Sequence, residues 1–132
     1  MINSAGTKPS GKAGWIRICD ASLLIEGGDG IRFEWQAYPQ EARKPAFVVR
    51  FDGLPRAYLN ECRHVPVELD WPAGKFFDDS GLYLVCATHG AIYGADSGRC
   101  HGGPCASRGL RKLDCVEEDG SIWVQQLTNG VI

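Results

Sequence analysis

Short apolar runs, each bounded by turn residues, follow one another along most of this chain, and none keeps a helical period. Residues 31–37 set Ile31, Phe33 and Trp35 against Arg32, Glu34 and Gln36, the period-2 alternation of a half-buried strand. Residues 46–51 and 56–60 flank Asp52-Gly53, a dipeptide suited to a tight hairpin turn. A compact apolar run covers 82–86. Segments 91–93 and 99–101 flank Gly94-Ala95-Asp96-Ser97-Gly98, and 110–116 and 121–127 flank Glu117-Glu118-Asp119-Gly120. With a first strand at 15–19, this spacing predicts an all-β fold, a small antiparallel sandwich or barrel.

Composition agrees with that reading. The chain has 132 residues, 44% of them hydrophobic, which is enough for one domain around one core. Residues 1–14, rich in Gly, Ser and Lys, read as a flexible N-terminal tail, and residues 15–132 as the folded domain. The tail segment Gly6-Thr7-Lys8-Pro9-Ser10-Gly11-Lys12-Ala13 approaches a phosphate-binding loop. It has Ala13 where a magnesium-ligating hydroxyl belongs, and no buried strand precedes it, so nucleotide binding is set aside.

The formal net charge is −2, which removes the electrostatic case for nucleic acid or an anionic membrane as partner. The N-terminus has no apolar export core, and no apolar run approaches the ~18 residues of a membrane span. The expected compartment is cytoplasmic. There disulfides are rare, so the six cysteines are expected as thiols and metal ligands.

Candidate chemistry concentrates in two motifs. Cys62-Arg63-His64 is a C-x-H pair, and Cys86-Ala87-Thr88-His89 is a C-x-x-H pair followed by Gly90. Each falls at the end of an expected strand, so two short loops on a rigid β scaffold could face one centre. The ligand set of two thiolates and two imidazoles admits zinc, which would make a structural or interaction module, or a two-iron cluster, which would make an electron carrier. In the second case, replacing two of four thiolates by neutral imidazoles removes negative charge from the oxidised cluster and raises its potential.

Over about residues 15–127 the sequence resembles Rieske-type [2Fe–2S] ferredoxin-like proteins. The likeness rests on the two motifs, on Val48-Val49-Arg50-Phe51-Asp52-Gly53 with Ala57-Tyr58-Leu59-Asn60-Glu61 before the first, and on Gly102-Gly103-Pro104 downstream, similar to the family's proline loop over the cluster. The resemblance implies a [2Fe–2S] cofactor with Cys62 and Cys86 on one iron and His64 and His89 on the other. It also implies a fold with a cluster-binding subdomain of two ligand loops, and tuning positions at Gly90, Ala91, Tyr93, Gly103 and Pro104. Respiratory members of the family place a serine two residues and a tyrosine four residues after the second histidine. Here those places hold Ala91 and Tyr93, so the expected potential lies below the respiratory type. Those members also carry an extra cysteine in each loop, which this chain lacks at the corresponding places.

The 21 residues between His64 and Cys86 exceed the family's usual gap. Residues 66–81 read as a packing extension, with Trp71, Phe76 and Phe77 adding core. The other reading is a docking rim carrying Glu68, Asp70, Lys75, Asp78 and Asp79, a net −3. Cys19 and Cys115 read as buried, inert thiols. Cys100-His101-Gly102-Gly103-Pro104-Cys105 reads as the covering loop, in preference to a second metal site or a disulfide.

Three histidines bound the function. With two on the cluster, one remains, which cannot build the two-histidine, one-carboxylate iron site of an oxygenase. Gly27-Gly28-Asp29-Gly30 has no helix signal after it, so it is no dinucleotide site. The expected function is a one-electron carrier, itself not an enzyme, between a reductase and an oxygenase or other acceptor. A Rieske subunit of a larger redox enzyme and a zinc module are the alternatives.

Overall fold

The computed structural model describes residues 14–38, 40–62, 67–70, 73–88, 90–105 and 108–126. The expected tail over 1–14, apart from Gly14, and the end of the last expected strand at Leu127 lie outside the described residues. Among the described residues ten strands run in chain order: β1 (Trp15–Asp20), β2 (Ile31–Trp35), β3 (Lys44–Phe51), β4 (Leu54–Leu59), β5 (Tyr83–Val85), β6 (Ile92–Gly94), β7 (Cys100–Gly102), β8 (Lys112–Leu113), β9 (Cys115–Glu118) and β10 (Ser121–Gln125). A 3-10 turn, Ala21–Leu23, follows β1. Among the described residues, no helix is long and apolar enough to cross a membrane.

The strands form three antiparallel sheets, ordered β1-β10-β9, β2-β3-β4-β8 and β5-β6-β7. The second sheet is the middle layer. Ala46, Val48, Ala57 and Leu59 point into a core shared with Cys19, Ile122 and Val124 of the first sheet. Phe47, Val49 and Tyr58, the alternate residues of the same strands, point into a second core with Leu84, Tyr93 and Cys105 of the third. Burial on both faces is why residues 46–49 are continuously apolar where β2 alternates.

Both expected Asp-Gly hairpins are present. Asp52 and Gly53 have φ of 56° and 78°, and Asp119 and Gly120 have 55° and 75°, so both central residues of each turn are left-handed. That conformation strains most side chains and suits Asp and Gly. The expected strand over 110–116 is two. Lys112 and Leu113 pair with β4, while Cys115 onward pairs with β10, so the chain changes sheets at Asp114. Hydrophobic pattern cannot show that switch, because both halves are apolar alternations that differ only in partner.

Residues 67–70 and 73–77 add packing to this layer through Leu69, Phe76 and Phe77. Leu69 and Phe76 are fully buried, and the Phe76 ring stacks on Phe47 with centroids 3.9 Å apart and planes 10° from parallel. A side chain at Gly30 would lie 2.6 Å from that ring, which is why glycine stands there. The packing reading of this excursion therefore holds for Phe76, and Phe77 packs against the same core. Trp71 lies outside the described residues. The docking-rim reading loses Asp70, which is buried, and finds Glu68 paired with Arg32 and Lys75 with Asp29.

Candidate metal centre

β4 delivers Cys62 and β5 delivers Cys86. Both cysteines are buried, at 2% and 0% exposure, both keep their thiols, and both belong to the core between the second and third sheets. Each loop closes on itself through the backbone. The Cys62 N–H donates to the Val67 carbonyl at 2.7 Å, and the Gly90 N–H donates to the Cys86 carbonyl at 2.7 Å. Gly90 has φ of 77°, the left-handed conformation that lets the second loop turn back so tightly. The two loops are also bonded to each other, Ala87 N–H to the Leu69 carbonyl at 2.9 Å.

The outer flank of this pair faces solvent. Val67 and Glu68 of the first loop, and Ala87, Thr88 and Gly90 of the second, are exposed. His64 and His89 lie outside the described residues. The site thus has a buried thiol side beneath an exposed rim.

Tyr93 on β6 is fully buried, and its hydroxyl lies 3.6 Å from Cys62 Sγ, within the hydrogen-bond range of sulfur. Ala91 is fully buried too, and its carbonyl accepts from the Cys86 N–H at 2.9 Å. From the other side Gly103, at φ 79°, presses onto the second loop. A Cβ there would lie 2.7 Å from the Gly90 carbonyl oxygen and 3.0 Å from Ala91 Cα. Pro104 follows it, half-buried. The Gly-Gly-Pro segment therefore meets the second loop through Gly103, at Gly90 and Ala91.

Sequence reasoning missed the support beneath the first loop. Asn60, two residues before Cys62, is buried, donates from Nδ2 to Asp70 Oδ1 at 2.9 Å and accepts from the Leu69 N–H at 2.8 Å. Asp70 Oδ2 accepts from the Gly74 N–H at 2.8 Å, with Arg32 Nε 3.2 Å away. A buried Asn and Asp must be satisfied by hydrogen bonds. The only sequence signal was the pairing of two polar residues with flanks otherwise bound for the core.

One expectation is corrected. Cys100 and Cys105, read as thiols of a covering loop, are joined in a disulfide across Gly102-Gly103-Pro104. Their Cα atoms are 6.0 Å apart, the ordinary span for such a bridge, because β7 ends and the chain turns at Gly103. Cys19 and Cys115 keep their thiols, Cys19 buried and Cys115 partly so. Burial raises both pKa values, that of Cys115 to about 11.

The family model for the Rieske [2Fe-2S] domain matches residues 14–126, and the chain belongs to that family. The cofactor the family implies is a [2Fe–2S] cluster. On the thiol side the residues fit it: two buried cysteines on mutually bonded loops, one of them under a phenol hydroxyl. Among curated proteins none matches. Among solved structures, the chain is similar to the ferredoxin of carbazole 1,9a-dioxygenase from Nocardioides aromaticivorans IC177, with TM-score 0.67 and 22% identity over 86% of this chain and 99% of that one. It is similar to the Sphingomonas yanoikuyae B1 ferredoxin, with TM-score 0.64 and 21% identity over 84% and 97%. The terminal oxygenase of the Nocardioides carbazole dioxygenase matches with TM-score 0.67 and 17% identity over 85% of this chain and 30% of that one. These likenesses concern the fold.

Proposed function

We propose that residues 15–132 are a soluble, cytoplasmic Rieske domain that carries single electrons from a reductase to an oxygenase or other acceptor, and that it is not itself an enzyme. Cys62 and Cys86 hold one iron of the cluster, and His64 and His89 hold the other. The observation that carries this reading is the burial of Cys62 and Cys86 on two interlocked loops whose outer residues are exposed.

The cluster, when bound, supplies a site that gains and loses one electron without bond rearrangement in the protein. The chain's own residues do the rest. Burial keeps water from the thiolates. With Cys62 as a thiolate ligand, the Tyr93 hydroxyl, 3.6 Å from its Sγ, would be the donor and would favour the more negative, reduced state. The exposed rim of Val67, Glu68, Ala87, Thr88 and Gly90 gives an acceptor a surface close to the two ligand loops. Comparison with ferredoxins of aromatic dioxygenase systems supports an oxygenase as acceptor. The two histidine ligands leave His101 alone, too few for a catalytic two-histidine iron site.

Purified protein tests the assignment. The expected result is a red-brown sample whose dithionite-reduced form gives a rhombic EPR signal, with average g below that of an all-cysteine cluster. His64→Ala should lose the cluster, and His64→Cys should keep at best one of altered spectrum and lower potential. A colourless protein with stoichiometric zinc would overturn the reading. Gel filtration from the native host separates a free carrier from a subunit of a larger enzyme.

A further inference from the structure

We propose that Cys100 and Cys105 are a reversible thiol–disulfide site that sets how firmly the Gly102-Gly103-Pro104 loop is held against the second ligand loop. The inference rests on the cluster reading above for its consequence, though not for its chemistry.

Four observations carry it. The bridge closes the very segment whose Gly103 lies against Gly90 and Ala91. Its first sulfur belongs to Cys100, which stands opposite Tyr93 in the β6–β7 ladder, so the same bond borders the strand that aims the phenol at Cys62. The two cysteines differ in exposure: Cys105 is fully buried in the core with Cys62 and Cys86, whereas Cys100 is only partly buried against it. The opened form also has a place for its thiol. Cys105 Sγ lies 3.2 Å from the Gly102 carbonyl and 3.8 Å from that of Ile92, so a thiol there finds acceptors without moving.

The exchange is an ordinary one. A thiolate of an external dithiol attacks the sulfur of the less buried Cys100, forming a mixed disulfide and releasing Cys105 as thiolate, which takes up a proton. The second thiol of the reagent attacks the mixed disulfide, releasing Cys100, which is protonated in turn. The dithiol leaves as its cyclic disulfide, having supplied two electrons, and a disulfide of the same class reverses the step. In the closed form the loop between the two cysteines, residues 101–104, has few conformations, and Gly103 stays on Gly90. In the open form the loop regains freedom, and the bonds from Cys86 N–H to Ala91 and from Gly90 N–H to Cys86 lose their cover.

The test uses the full chain as purified, with dithiothreitol as the dithiol. Acid quench, denaturation, alkylation and mass spectrometry should then find Cys100 and Cys105 protected in untreated protein and both labelled where the native protein was first treated. Amide exchange at Cys86 and Gly90 should then quicken about tenfold, and chelator-driven bleaching of the cluster by a similar factor. The variant Cys100→Ser/Cys105→Ser should show the faster rates from the start and no response to dithiothreitol, which separates the bridge from any direct attack of the reagent on iron. If the double variant does not fold, Cys100→Ser alone serves. A pair that stays unlabelled in native protein, or unchanged exchange at Cys86 and Gly90 after reduction, overturns the proposal. Protein that holds no iron or sulfide would sink the cluster reading instead, with labelling and exchange still deciding this one.

Discussion

Asn60 and Asp70 hold each other across 2.9 Å inside the protein, one at the end of β4 and the other past the first ligand loop. The pair clamps both ends of that loop to one point. Asp70 also gathers the Gly74 amide and the Arg32 guanidinium, so the excursion, the loop and β2 share one carboxylate. Asp70→Ala would leave the Asn60 amide and the Gly74 N–H buried without an acceptor. The expected cost is about 2–4 kcal/mol of stability, read in urea unfolding, with lower cluster occupancy at the same iron supply. Arg32→Gln should cost less, because Arg32 is 44% exposed and Asp70 keeps both N–H donors. Equal losses in the two variants would contradict this account.

Tyr93 tunes the site through its hydroxyl. Tyr93→Phe keeps the ring in its buried place and removes the donor toward Cys62 Sγ. The reduced state loses more than the oxidised one, so the midpoint potential should fall. A differential of about 1 kcal/mol corresponds to about 40 mV for one electron. Ala91→Ser adds a hydroxyl at a buried position beside the Cys86 amide and should raise the potential. Protein-film voltammetry of the two variants measures both shifts, and a potential unmoved by Tyr93→Phe would remove Tyr93 from the tuning role.

Alkaline pH should weaken the fold through its buried thiols. Burial pushes the Cys115 pKa up to about 11 in the native state, above the 9.0 of an exposed thiol. The group's folded pKa is raised, so its contribution is fully present below the unfolded pKa and is lost as pH climbs from about 9 through 11. Cys19 is shifted the same way by its burial. Thermal midpoints taken across that window should decline, and Cys115→Ala should flatten the decline. An identical alkaline limb in the variant would assign the loss to other groups.

Much of this architecture was legible in the chain because its signals are local. Strand alternation over 31–37 and the Asp-Gly turns depend on side-chain period and on backbone conformations that few residues tolerate; the turns recur in the structure, and the strand does over Ile31–Trp35, two residues shorter than expected. The two Cys/His motifs at strand ends were equally visible, since ligand type and spacing are sequence properties. The buried places of Cys62 and Cys86 agree with that reading.

What the sequence could not determine depends on partners far apart in the chain. Whether residues 110–116 make one strand or two was settled by which sheet edge lay beside each half. Asp70 counts as a surface charge until the fold brings Asn60 and Gly74 around it. Cys100 and Cys105 read as thiols from composition and compartment, and the turn at Gly103 is what sets them a bridge apart. By itself, then, the sequence determined the β class and the hairpins, because short-range sterics suffice for them, and it nominated four candidate ligands from residue type and spacing. Only the tertiary structure decided the three-layer packing, the carboxylate clamp under the first loop and the bridge over the second, because each depends on burial shared between distant segments.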